Sequence, residues 1–240
     1  MVVKLGDGVW LPASREFIYT STPSIVSYLP PHGPTSGNTT IRVVVSGFLT
    51  GSNALCMFGP VVVPAVFITE AAWNGTGPVG VFECTTLPTA AGAATLQLSP
   101  NGQQFSAPRP YVFYADVVLW DVYPLASPAR GDTPMAVSGG NHGSAAYYGT
   151  PVVWPALLPP SRFYFSDIIS CRYTQLLSPP DYGVPAVLYG AAHNDNTSGT
   201  VVCTSPPLNG SYTGNYSLAV ALNGQQVHAQ LRFIRSICTF

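Results

Sequence analysis

The segment Asn101-Gly-Gln-Gln-Phe-Ser-Ala-Pro-Arg-Pro-Tyr-Val-Phe-Tyr114 recurs as Asn223-Gly-Gln-Gln-Val-His-Ala-Gln-Leu-Arg-Phe-Ile-Arg235, and a fainter copy, Asp7-Gly-Val-Trp-Leu-Pro-Ala-Ser-Arg-Glu-Phe-Ile-Tyr19, opens the chain. Landmarks upstream of the two full copies also match: Gly37-Asn-Thr-Thr40 with Gly131-Asp-Thr-Pro134, Val45-Ser-Gly47 with Val137-Ser-Gly139, and Cys84-Thr-Thr-Leu-Pro88 with Cys203-Thr-Ser-Pro-Pro207. Self-similarity of this kind predicts a tandem array. Residues 1–21 read as the closing strand of a preceding repeat or a donor strand, residues 22–115 as a first domain and residues 116–240 as a second. Tyr114-Ala-Asp116 is the whole boundary, which leaves few residues to act as a hinge.

Within each copy the pattern is strand and turn. Thr40-Ile-Arg-Val-Val-Val-Ser46 alternates Ile41, Val43 and Val45 with Arg42, and Ala94-Thr-Leu-Gln-Leu-Ser99 places Leu96 and Leu98 on one face. Ser217-Leu-Ala-Val-Ala-Leu222 repeats the theme ahead of Asn223-Gly224. Asn-Gly predicts a two-residue hairpin with both turn residues at positive φ. No stretch of helical period runs free of Pro or Gly, so the expectation is all-β, as tandem β-sandwiches of about 100 residues each.

Composition bounds the function. With 47% hydrophobic and 8% charged residues and a net charge of -1, the chain can bury a good core but has no field to gather phosphates or anionic lipid. Its nine basic residues are scattered singly, so neither a nucleic-acid partner nor a membrane surface is expected. The longest apolar run, Val61 to Thr69, is broken by Pro64 and is too short to span a bilayer, so no membrane insertion is expected in this segment. The opening residues lack a signal-peptide pattern, and the chain reads as a piece of something longer.

Asn38, Asn74, Asn196, Asn209 and Asn215 each begin an Asn-x-Ser/Thr sequon, which points to an extracellular or cell-surface glycoprotein. The 24 Pro residues, several in Ser-Pro-Pro contexts, add a compositional case for O-linked glycans. Cys56 and Cys84 hold the same places in the first domain as Cys171 and Cys203 in the second, and one bridge per domain is expected. Cys238 is left over.

Pro23-Ser-Ile-Val-Ser-Tyr-Leu-Pro-Pro-His-Gly-Pro-Thr-Ser-Gly-Asn-Thr-Thr-Ile-Arg-Val-Val-Val-Ser-Gly-Phe48, Cys56-Met-Phe-Gly59, Cys84-Thr-Thr-Leu-Pro88 and Val112-Phe-Tyr114 together resemble the IPT/TIG family of immunoglobulin-like domains. The second domain is similar through Val122-Tyr-Pro124, Gly131-Asp-Thr133, Cys171 and Cys203-Thr-Ser-Pro206, but carries an insertion at residues 141–165 rich in aromatics and Pro. The resemblance implies a fold more firmly than a function, because the family serves plexin-type receptors, Rel-type transcription factors, starch-acting enzymes and large extracellular repeat proteins.

A catalytic reading finds no constellation. Asp116 and Asp121 are a close carboxylate pair in sequence, but their spacing along a strand sends them to opposite faces. The four His residues lack metal-ligand spacing, His193 with Asp195 reads as a solvated loop, and no Gly-x-Ser-x-Gly elbow occurs. No catalytic residue, metal or cofactor is therefore assigned. Arg130-Gly-Asp132 spells an adhesion tripeptide, yet it stands where Ser36-Gly-Asn38 stands in the first domain, so the turn explains its Gly.

What remains is architecture. The reading that follows is a structural subunit of an extracellular filament or surface fibre, with self or neighbouring repeats as head-to-tail partners. Val9, Leu11, Phe17 and Tyr19 in the opening strand, which lacks a partner of its own, and Tyr147, Tyr148 and Trp154 in the insertion are the candidate self-association residues. The alternative is a ligand-binding or adhesive ectodomain of a cell-surface receptor.

Overall fold

A computed structural model describes residues 2–4, 10–12, 21–48, 53–72, 78–141, 168–176, 187–194, 200–208, 215–226 and 229–237. Among them every regular element is a strand. β1 (Val2–Lys4) and β2 (Trp10–Pro12) form an antiparallel hairpin with Val3 opposite Leu11. The opening segment therefore does not lack a partner along Trp10–Pro12, as the sequence had suggested. A local return of the chain supplies one.

The first half contains β3 (Ser24–Leu29), β4 (His32–Pro34), β5 (Thr40–Ser46), β6 (Leu55–Phe58), β7 (Val61–Ala72), β8 (Pro78–Thr85), β9 (Gly92–Ser99) and β10 (Arg109–Tyr114). Their order is β3-β5-β8-β7-β6-β9-β10-β4. β7 belongs to both faces of the sandwich: Val61 to Pro64 pair with β6, and from Ala65 onward the strand pairs with β8. The second half contains β11 (Val117–Tyr123), β12 (Ala126–Pro128), β13 (Pro134–Asn141), β14 (Ser170–Leu176), β15 (Val187–Gly190), β16 (Ala192–Asn194), β17 (Val201–Thr204), β18 (Asn215–Ala221) and β19 (Ala229–Ile237). Here β11-β13-β17-β16 and β12-β19-β18-β14-β15 form separate sheets, and β15 and β16, parted by Ala191, divide the work of β7.

Each half closes over its own core because alternation along the strands points one apolar set inward. In β5, Ile41, Val43 and Val45 are fully buried while Thr40 and Arg42 face out. Arg42 meets Glu83 directly across the strand pair at 3.0 Å, an exposed ion pair that adds little. Tyr111 and Phe113 share a face of β10 and set their ring edges against Phe58, with centroids 5.2 and 6.2 Å away. Met135, Val137, Tyr173, Tyr216, Leu218 and Val220 fill the second core. Burial of each such side chain contributes about 1.5–3 kcal/mol. Cys56 is bonded to Cys84 and Cys171 to Cys203, all within these cores.

The sequence landmarks are places where strands lock together. Gly37 and Asn38 have φ of 77° and 60°, and Gly131 and Asp132 repeat this at 79° and 61°. The turn presents the Asn38 N–H to Thr86 O at 2.8 Å, and Thr86 N–H returns to Thr39 O at 2.9 Å. Asp132 N–H to Ser205 O and Ser205 N–H to Thr133 O are the second-half counterparts, both at 2.9 Å. Thr86 Oγ1 and Ser205 Oγ accept the N–H of Thr39 and Thr133, which explains the hydroxyl residue two places after the second cysteine in each half. A Cβ on Gly131 would stand 2.6 Å from Pro207 N.

Two expectations are corrected. Val43 faces Phe82 and Val137 faces Val201, each two residues before the second cysteine, so Val137 corresponds to Val43. The Val-Ser-Gly match of the sequence is thus displaced by two residues, a shift that conserves the inward face and so leaves the apolar pattern unchanged. Nor are the Asn-Gly pairs two-residue hairpins. Only Gly102 and Gly224 have positive φ, and the strands they separate end at Ser99 and resume at Arg109, or end at Ala221 and resume at Ala229. The Asn side chain makes the turn instead: Asn101 Oδ1 accepts the N–H groups of Gln103 and Gln104 at 3.0 and 3.1 Å.

Gly131→Ala is expected to lower stability by about 1–3 kcal/mol through positive φ and backbone collision, whereas the exposed Arg130→Ala leaves the thermal midpoint within error. Equal effects in thermal denaturation would contradict this reading of the Arg-Gly-Asp tripeptide. Burial raises the pKa of Tyr173, whose hydroxyl has no hydrogen-bond partner among the described residues. With the folded value above the unfolded one, the stability present below about pH 10 declines as pH rises beyond it. Tyr173→Phe should match or exceed the wild-type midpoint at neutral pH and flatten the alkaline decline. A clear loss at neutral pH would mean that the hydroxyl is satisfied.

Candidate functional site: the junction between the halves

β10 ends at Tyr114 and β11 begins at Val117, so Ala115 and Asp116 alone join the two halves. The joint is held at once by Asp116, whose Oδ1 accepts Thr35 Oγ1–H at 3.3 Å and Ser36 N–H at 3.2 Å. Thr35 N–H bonds Tyr114 O at 2.9 Å. The carboxylate that looked like half of a pair is thus a cap on a turn. Asp121, exposed, accepts the N–H of its own neighbour Val122 at 2.8 Å.

The densest contact comes from far along the chain. Asn223 Oδ1 accepts the N–H groups of Gln225 and Gln226, both at 3.1 Å, and this turn aims both glutamine side chains at the Gly37–Thr40 turn. Gln225 clamps one residue by both backbone groups: Thr40 N–H donates to its Oε1 at 2.9 Å, and its Nε2–H donates to Thr40 O at 2.7 Å. That is the exchange a neighbouring strand would make. Thr39 Oγ1 accepts from Asn223 Nδ2 and donates to Gln226 Oε1, each at 3.1 Å. Gln226 Nε2–H donates to Asn38 O. His32, 5% exposed, is 3.2 Å from Leu222 O through Nε2, which carries the proton in that bond.

Apart from Asp116 and the His32 imidazole, every one of these is a neutral amide or hydroxyl contact, so salt screening leaves most of the joint untouched. Thr39 is 0% exposed, and its hydroxyl finds both a donor and an acceptor there. Gln225, Gln226 and Thr39 stand within the motifs quoted from the sequence and His32 among its four histidines, but no contact was expected of any of them. The available signal was the repetition of Gln-Gln after Asn-Gly, which no hairpin requires.

Of the candidate residues, the structure joins Cys56 to Cys84 and Cys171 to Cys203. Asn38 is exposed on its turn and Asn215 is exposed at the start of β18. Leu11 lies in β2, where only its backbone is described. Asn74, Asn196, Asn209, Val9, Phe17, Tyr19, Tyr147, Tyr148, Trp154 and Cys238 lie outside the described residues. Among the described residues no three His, Cys, Asp or Glu side chains converge as a metal site would require.

No curated protein matches the chain. Among solved structures, the plexin A4 full extracellular region, domains 1 to 10, is similar at 15% identity with a TM-score of 0.54 over 90% of this chain, which spans 16% of that chain. A second plexin A4 structure, with domains 1 to 8, gives 14% identity, 95% and 19% coverage and a TM-score of 0.47. Invasin, a bacterial integrin-binding protein, gives 11% identity, 96% and 44% coverage and a TM-score of 0.29. Such likeness speaks to the fold alone. The model of the IPT/TIG domain matches residues 23–113. That segment, with its paired sheets, its cysteine bridge and its Gly-Asn-Thr turn, is an IPT/TIG domain.

Proposed function

We propose that this chain is a structural segment of an extracellular glycoprotein filament or surface fibre, in which β-sandwich units are held end to end without catalysis. The observation that carries this is the junction. A two-residue connection with its neighbouring turn capped by Asp116, Gln225, Gln226 and His32 transmits orientation from one unit to the next. In this reading the second half is a divergent copy of the IPT/TIG domain, supported by matching strand order, matching bulges after Ile25 and Leu119, and parallel pairing of β4 with β10 and of β12 with β19. Bridged cysteines suit an oxidising compartment, and Asn38 and Asn215 stand exposed for N-linked glycans. The likeness in fold to a plexin extracellular region favours a second reading, a ligand-binding or adhesive ectodomain of a receptor.

Electron microscopy of the glycosylated chain, made in a eukaryotic host and viewed over rising concentration, separates the two. Regular linear assemblies are expected. Monodisperse particles at every concentration, together with saturable binding to a cell surface, would replace the fibre reading with the receptor one.

A further inference from the structure

The Asn223–Gln226 turn has a twin at the other end of the first half. Asn101 Oδ1 gathers the N–H groups of Gln103 and Gln104, Gly102 has a φ of 77° against 72° for Gly224, and Asn101 Nδ2 holds Gln104 Oε1 as Asn223 Nδ2 holds Gln226 Oε1. Gln103 and Gln104 are exposed. A polar cavity of about 120 Å³ opens beside the turn, lined by Ser21, Thr22, Pro23, Gly47, Asn101 and Gln104 among others. At the junction, the groups equivalent to Asn101 and Gln104 grip the Thr39 side chain.

The far end of the second half carries the complementary element. Gly131, Asp132 and Thr133 repeat the backbone of Gly37, Asn38 and Thr39 and make the same internal hydrogen bonds. Thr133, however, is partly exposed where Thr39 is fully buried, and Asp132 and Pro134 are exposed. One end of the chain thus presents a prepared amide turn and the other presents the kind of turn that its twin binds.

We infer that the Asn101–Gln104 turn is a docking site for the Gly131–Pro134 turn of a second copy of this chain. This deepens the fibre reading and rests on it. By analogy with the junction, Gln104 Nε2–H donates to Asp132 O, the Thr133 hydroxyl enters the cavity between Asn101 and Gln104, and Gln103 Nε2–H donates to the carbonyl of Pro134. The contact between copies is weaker than the internal one for stated reasons. Pro134 has no N–H to give Gln103, Ala126 stands in the place of His32, and Thr22 in the place of the Asp116 cap. Each copy offers one turn of each kind on different surfaces, so the contact is heterologous and propagates rather than closing a pair.

Sedimentation equilibrium of the full chain, made in a host that adds no N-glycans because Asp132→Asn/Pro134→Thr also writes an Asn-x-Thr sequon, tests this with two variants. Gln103→Ala/Gln104→Ala removes both clamps and should weaken self-association at least tenfold. Asp132→Asn/Pro134→Thr recreates the Gly-Asn-Thr-Thr turn with its missing N–H and should strengthen association severalfold, while the thermal midpoint of each variant checks that it is folded. Association of the wild type unchanged by either double variant would overturn this site and leave the fibre reading standing on another contact. Absence of association in every variant, including Asp132→Asn/Pro134→Thr, would overturn the site as well. Assemblies seen by microscopy of the glycosylated chain would then still decide the fibre reading by themselves.

Discussion

A hydroxyl that is buried completely must find partners, and Thr39 finds them in the other half of the molecule. Its oxygen accepts from Asn223 and donates to Gln226, while the backbone on either side of it is taken by Gln225 and Gln226. Leaving such a group unpaired costs about 1–3 kcal/mol. Pulling the halves apart would return it to water but forfeit the whole set of bonds together. Because the turn is already shaped by Asn223 and Gly224, little conformational entropy is spent in forming the contact.

The same economy of parts runs through each sandwich. A Gly-Asn or Gly-Asp step at positive φ lets a loop fold flat against the strand that follows the second cysteine, and a Thr or Ser hydroxyl there closes the gap. That loop is a structural lock of its own sandwich on one side. In the first half its other side is also the surface on which the next unit sits. One short element thereby serves the fold of its own half and the contact with the other half at once, which places the site on rigid structure rather than on a free loop.

Much of the fold was legible in the sequence. Period-two alternation in Thr40–Ser46 identifies Ile41, Val43 and Val45 as core because a strand permits no other inward set. The repeated cysteines point to one bridge per half, and the glycines of Gly37 and Gly131 mark backbone that a Cβ would not tolerate. Asn101 and Asn223 were misread because a side-chain oxygen can close a turn that the dipeptide code assigns to backbone conformation. The junction was illegible for a different reason. Gln225 acts on Thr40, a partner remote in sequence, and no local pattern encodes a contact that only the fold creates. Asp116 likewise announced itself as an acid and acts as a cap.

Hydrogen exchange at the Thr40 amide, followed by NMR in the full chain and in Gln225→Ala, addresses the junction most directly. Thr40 N–H is exposed at the first position of β5 and owes its protection to Gln225 Oε1. The account predicts slow exchange that accelerates at least tenfold in Gln225→Ala, while amides in the core of β5 are unchanged. Fast exchange in the wild type, or exchange indifferent to the substitution, would mean that the two halves are not held by this contact.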